Sequence, residues 1–200
     1  MSVDVATADR AAGLAPAARL LASWWSRPTA DEVARWRLDW EGAADVAGLL
    51  DLPPSGVEEM RDAAAAAGEE ALLEEYERLL VGPGRTPCPP YESLWRTDAP
   101  RREQGRLMGA CAEDAARLYR GLGLRVRADA HELPDHLVVE LEALACAFEQ
   151  DAADAATALA CDHLALWIPG FCAAVVAEAG EPYYLALARL TPEWLAALAA

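Results

Sequence analysis

The segment HLALWIPGFCAAVVA, residues 163–177, decides the fold class. Leu164, Trp167, Ile168, Phe171, Cys172 and Val175 fall at offsets of 0, 3, 4, 7, 8 and 11, which places them on one side of a helix. Six large apolar side chains on one stripe predict a helix buried in a protein core. Pro169 removes a backbone donor and crowds the preceding turn, so a kink is expected there. This is the longest run without a formal charge, but Pro169 and Gly170 interrupt it and it is too short to cross a bilayer.

The same periodicity recurs on either side. Leu72, Tyr76, Leu79 and Leu80 share one face, and Leu137, Leu141, Leu144 and Phe148 form another stripe. Thr29 with Glu32, and Ser55 with Glu58, have capping-box spacing. Thr191-Pro192 predicts a cap and first-turn proline that open a last helix. VGPGRTPCPP (81–90) is too rich in Pro and Gly to be helical, and the stretch 121–134 is expected to join two long helices. No repeat of 20–50 residues is present.

The hydrophobic fraction is 54%, much of it Ala, with little Ile, Val or Thr. Ala favours helices, and the scarcity of β-branched residues argues against a large sheet. Two hundred residues suit one sizeable core without disulfide staples. The expected architecture is therefore all-α, a single helical bundle over residues 1–200.

Net charge is −16, which argues against a nucleic-acid partner because phosphates would be repelled. All 17 basic residues are Arg, and nine of them lie within residues 84–127, between two acidic flanks. An acidic surface serves solubility, and it also attracts basic peptides. The five cysteines are scattered, with no CxxC pair, as in a reduced cytosolic protein. The opening MSVDVATADRAAGL lacks the basic and apolar regions of a signal peptide, so a cytoplasmic location is expected.

AHELPDHL places His131, Glu132, Asp135 and His136 close together. These types suit a metal or acid–base chemistry, although neither HExxH nor paired Cys supplies further ligands. They also suit a helix start, with Pro134 opening the helix, Glu132 and Asp135 at its positive end, and His136 paired with Glu140 four residues on. Cys88, in the Pro-rich loop, is the thiol expected to be accessible, whereas Cys146 and Cys172 lie in apolar stripes. There is no phosphate-cradling GxxxxGK[ST] motif. Seven Trp are many for this length; most suit the core, and some suit a groove for an apolar peptide.

Four blocks, taken in order, resemble the TorD/DmsD/NarJ family of redox-enzyme maturation chaperones. Tyr76-Glu77-Arg78-Leu79-Leu80-Val81-Gly82-Pro83 resembles its aromatic-x-x-Leu-x-x-Gly-Pro segment, with Leu80 where many members carry Phe. Pro90-Tyr91-Glu92-Ser93 resembles the loop that follows. Glu132-Leu133-Pro134-Asp135-His136-Leu137, running on to Glu140-Leu141-Glu142, is similar to its Glu-x-Pro-Asp-His-Leu motif. His163-Leu164, Trp167, Pro169 and Phe171, then Tyr183-Tyr184, resemble its last block. The likeness covers residues 70–190; the first 65 match only in being helical.

The resemblance implies an all-α, cytoplasmic protein without enzymatic activity, metal or cofactor of its own. It implies binding to the precursor of a molybdopterin-dependent oxidoreductase, often at a twin-arginine leader, by a monomer or homodimer that does not insert into membranes. Carried over residue by residue, it implies a recognition surface of Tyr91, Glu92, Glu132, Asp135 and His136. Two other readings compete with it: a small metal-dependent enzyme using His131, Glu132, Asp135 and His136, and a scaffold subunit of a mature complex.

Overall fold

The computed structural model describes residues 5–82, 86–98, 104–127 and 132–200, and side chains from Asp9 onward except Arg37. Pro83 and His131, named in the motifs above, lie outside the described residues. The elements are α1 (Val5–Trp25), α2 (Ala30–Leu38), α3 (Trp40–Leu49), α4 (Ser55–Ala66) and α5 (Glu69–Tyr76), followed by α6 (Glu92–Trp95) and α7 (Ala110–Gly121). Then come α8 (Leu137–Glu149), α9 (Ala153–Thr157), α10 (Ala165–Glu178) and α11 (Pro182–Ala199). Two π-helical segments, Glu77–Val81 and Ala158–Leu164, extend α5 and join α9 to α10. No strand occurs among the described residues, only an isolated antiparallel bridge between Tyr91 and His136.

The core lies where α1, α8, α10 and α11 meet. Ala17, Ala18, Ala145 and Ala147 are buried, and such small side chains let the α1 and α8 backbones approach closely. The stripe read from residues 164–175 is wholly buried, as are Leu72, Tyr76, Leu79 and Leu80. Aromatic rings knit the distant ends together. Trp24 meets both Trp40 and Trp194, Trp36 stacks on Tyr183, and Trp25, Trp95 and Trp167 surround Phe171.

The structure corrects several expectations. Thr191-Pro192 opens no helix, because α11 runs through both residues. The Thr191 hydroxyl is instead a buried junction, accepting from Trp25 Nε1 at 2.9 Å and donating to the Leu187 carbonyl at 2.7 Å. Thr29 caps α2 as expected, but Ser55 is already inside α4 and caps nothing. The helix expected at Pro134 begins at Leu137, with His136 as its cap. Cys88 is fully buried rather than accessible, and Cys146 is half-buried beside Arg19.

Pro169 does not end α10; its ring lies on the exposed side of the helix. The continuous run Ala153–Glu178 is long and apolar enough to cross a membrane by length and composition, longer than the sequence pattern suggests. Half of its most apolar stretch is buried within the protein, where it packs on α8 and α11.

Candidate functional site

The blocks that lie far apart in sequence converge. The segment after Cys88 turns back beneath the start of α8, held by two main-chain bonds. Glu92 N–H donates to the Asp135 carbonyl and Leu137 N–H to the Pro90 carbonyl, both at 2.9 Å. Asp135 Oδ2 accepts from Ser93 N–H at 3.2 Å, in the first turn of α6, and Tyr119 OH donates to the Pro134 carbonyl at 2.6 Å. The Glu-Leu-Pro-Asp-His run is thereby pinned from two sides. Each bond satisfies a backbone or side-chain group that burial would otherwise leave costly.

Above this staple is an open cleft of about 380 Å³ lined by Tyr76, Leu80, Thr86, Pro90, Tyr91, Leu94, Leu107, Glu132 and His136. Its walls are mostly apolar, with Val81 and Leu107 exposed at its margin. Tyr91 OH donates to Glu132 Oε2 at 3.1 Å, and the Tyr91 ring meets His136 edge-on. Burial raises the Tyr91 hydroxyl to about 12, with the Glu132 charge adding to the effect. Burial also raises the Glu132 carboxyl.

His136 Nδ1 accepts from Val138 N–H at 3.2 Å, which assigns the ring proton to Nε2, facing Glu132 at 3.7 Å. Burial lowers His136 to about 4, so the ring is neutral near pH 7 and the contact with Glu132 is not an ion pair.

Below the staple is a second, closed polar layer. Glu92 is fully buried; its Oε1 accepts from Arg96 Nη1 at 2.5 Å and its Oε2 lies 2.8 Å from His163 Nδ1. Burial is the largest influence on Glu92 and acts upward, but His163 and then Arg96 outweigh it and hold the carboxyl below its usual range. Glu140, also fully buried, accepts from Trp167 Nε1 at 3.1 Å. Burial, then the neighbouring Glu92 charge, pushes Glu140 well above its usual value. Ligand atoms of Glu92, Glu140 and His163 lie within 4.8 Å of one another.

The five residues expected to form the recognition surface are thus brought together, but on two levels. Only Tyr91 and Glu132 face the cleft with appreciable exposure. Glu92, Asp135 and His136 are at most 5% exposed, because each is spent on an internal hydrogen bond. The four-residue metal cluster does not assemble in its described members either. Asp135 caps α6, His136 caps α8 and Glu132 holds Tyr91, while His131 is outside the described residues. His136 faces Glu132, four residues back, rather than Glu140. Sequence reasoning missed Arg96 as a site residue, although its i+4 spacing from Glu92 is an ion-pair signal. It placed Glu140, His163 and Trp167 in motifs without seeing that they meet.

Three of the Trp also border a cleft. Trp24, Trp36 and Trp40 line a space of about 430 Å³ beside α1, α2 and α3, while Trp95 turns inward to donate to the Pro89 carbonyl.

An all-α body with a rigidly backed, apolar, acid-edged cleft defines a helical binding protein. The chain belongs to the nitrate reductase delta subunit family, which it matches over residues 51–173, and with it to the TorD/DmsD/NarJ group of maturation chaperones. This is a family of chaperones, not of catalysts. The chain is 29% identical over 172 residues to the Tat proofreading chaperone DmsD of Salmonella typhi, covering 84% of this chain and 75% of that one. Identity and coverage are the same for the protein of that name from Salmonella typhimurium. The fold matches the crystal structure of a putative redox enzyme maturation protein from Archaeoglobus fulgidus, with a TM-score of 0.62, 24% identity, and coverage of 98% of this chain and 96% of that one.

Proposed function

We propose that the chain is a cytoplasmic chaperone for the precursor of a molybdopterin-dependent oxidoreductase, and that it holds the precursor's basic leader in the Tyr91–Glu132 cleft. Family membership sets the class of function. The observation that carries the site is the half-buried Glu132 carboxylate at the edge of an apolar cleft. A twin-arginine leader joins guanidinium groups to an apolar stretch. A carboxylate in a partly desolvated setting forms strong charge-assisted bonds with guanidinium, and the cleft wall takes the apolar part. The net charge of −16 adds long-range attraction for a basic segment.

Glu92, Asp135 and His136 act from beneath. They fix the backbone that carries Tyr91 and Glu132, so their part is positioning and not contact. The whole chain is proposed to act as one helical unit.

The test is the affinity for a twin-arginine leader peptide from a molybdoenzyme of the same host, measured by calorimetry at two salt concentrations. Glu132→Gln keeps the size and the Tyr91 contact but removes the charge. It is expected to weaken binding about tenfold, which is about 1.4 kcal/mol, and to flatten the salt dependence. Unchanged affinity in the folded variant would remove Glu132 from recognition.

A further inference from the structure

We propose that Glu92, Glu140 and His163 form a buried site for one divalent cation of the zinc class. None of the three lines the cleft, although Glu92 also belongs to the layer that supports it. Three observations lead there. Their ligand atoms lie within 4.8 Å of one another, and all three residues are buried. Among the described residues, the buried side-chain oxygens without a hydrogen-bond partner are Ser93 Oγ, Asp135 Oδ1 and Glu140 Oε1, and all three belong to this junction of α6 and α8. Such unpartnered atoms in a folded interior can accept from water or bind an ion.

Glu92, Asp135 and Glu140 place three carboxyl groups at zero exposure, against one guanidinium, Arg96, which is itself shared with Asp98. Buried carboxylates need a compensating charge. Glu140, which burial and then the Glu92 charge hold well above its usual range, would give up its proton to the bound cation, whose charge would then offset the Glu92 and Glu140 carboxylates.

The surroundings also orient the ligands. Arg96 holds Glu92 Oε1 and leaves Oε2 turned to His163, while Trp167 holds Glu140 Oε2. Outer partners that fix ligand orientation in this way are a regular part of metal sites. Mixed imidazole and carboxylate donors suit Zn²⁺ and its neighbours rather than Ca²⁺ or Mg²⁺. His163 itself sits on the π-helical segment Ala158–Leu164, a departure from α geometry that is common at functional positions.

Since the site is closed, the full chain is unfolded in urea with chelator and refolded with or without Zn²⁺ or Co²⁺. It is then freed of loose metal by gel filtration and assayed for bound metal and thermal stability. The expected result is one Zn²⁺ per chain, a raised melting temperature, and a Co²⁺ spectrum with d–d bands but no thiolate charge transfer, which excludes the cysteines as ligands. Glu140→Gln and His163→Asn should each lose the metal, while His136→Asn should keep it. The spectrum is read on the unmodified chain, so the test survives a variant that fails to fold. A chain that refolds fully without retaining metal, with a melting temperature indifferent to Zn²⁺, would show that protons alone balance these carboxyls and would overturn the proposal. So would metal retained by both ligand variants, or thiolate bands in the Co²⁺ form.

Discussion

His136 does two jobs that only a neutral ring can combine: Nδ1 caps α8, and the ring packs edge-on against Tyr91. Its folded pKa of about 4 lies below the ordinary 6.5. The unfolded chain therefore binds the proton more readily between these values. The contribution to stability is complete above pH 6.5 and is lost progressively as pH falls toward 4, amounting to about 3 kcal/mol at the low end. His136→Asn keeps a good helix cap and removes the titration. Urea unfolding of this variant is expected to show a shallower loss of stability between pH 6.5 and 4 than the unmodified chain. An identical slope would place the acid sensitivity elsewhere.

At the scale of elements, α6 is only four residues long and cannot persist by itself. It is held by the Asp135 carboxylate at its start, the Glu92–Arg96 pair along it and the Glu92 contact with His163. Asp135→Ala leaves the Ser93 N–H without its partner, and a loss of about 1–3 kcal/mol in urea unfolding is expected. Asp135→Asn retains an acceptor and should cost clearly less. Equal losses would mean that the acceptor at Ser93 does not matter. The contrast also shows what sequence can reveal. Long apolar stripes such as Leu164–Val175 are legible because periodicity is a local property, and the cap at Thr29 is legible for the same reason. The Ser55 cap fails although its spacing is equally good, because Pro54 has already entered helical geometry. The Glu132–Leu137 run is legible as a motif, but the inward turn of Asp135 and His136 is not. Glu92 meets His163 across 71 positions, and no local pattern says which carboxylates turn inward.

On the scale of the whole molecule, 33 acids against 17 arginines leave a strong self-repulsion. Added salt screens that repulsion, with a Debye length of about 8 Å at physiological ionic strength. The melting temperature is therefore expected to rise with NaCl, while affinity for a basic leader falls. Opposite signs for the two dependences separate general repulsion from recognition at Glu132. A melting temperature that falls with salt would show that attractive pairs such as Arg19–Glu149 and Arg189–Glu59 dominate instead.

The bridge between Tyr91 and His136 has one further consequence. The amide protons of Glu92 and Leu137 are bonded across it, and both residues are buried. In heavy water these two sites should trade hydrogen for deuterium slowly, and only when the clasp lets go. A peptide seated against Tyr91 would slow that exchange further, giving a built-in clock that reports occupancy without any label.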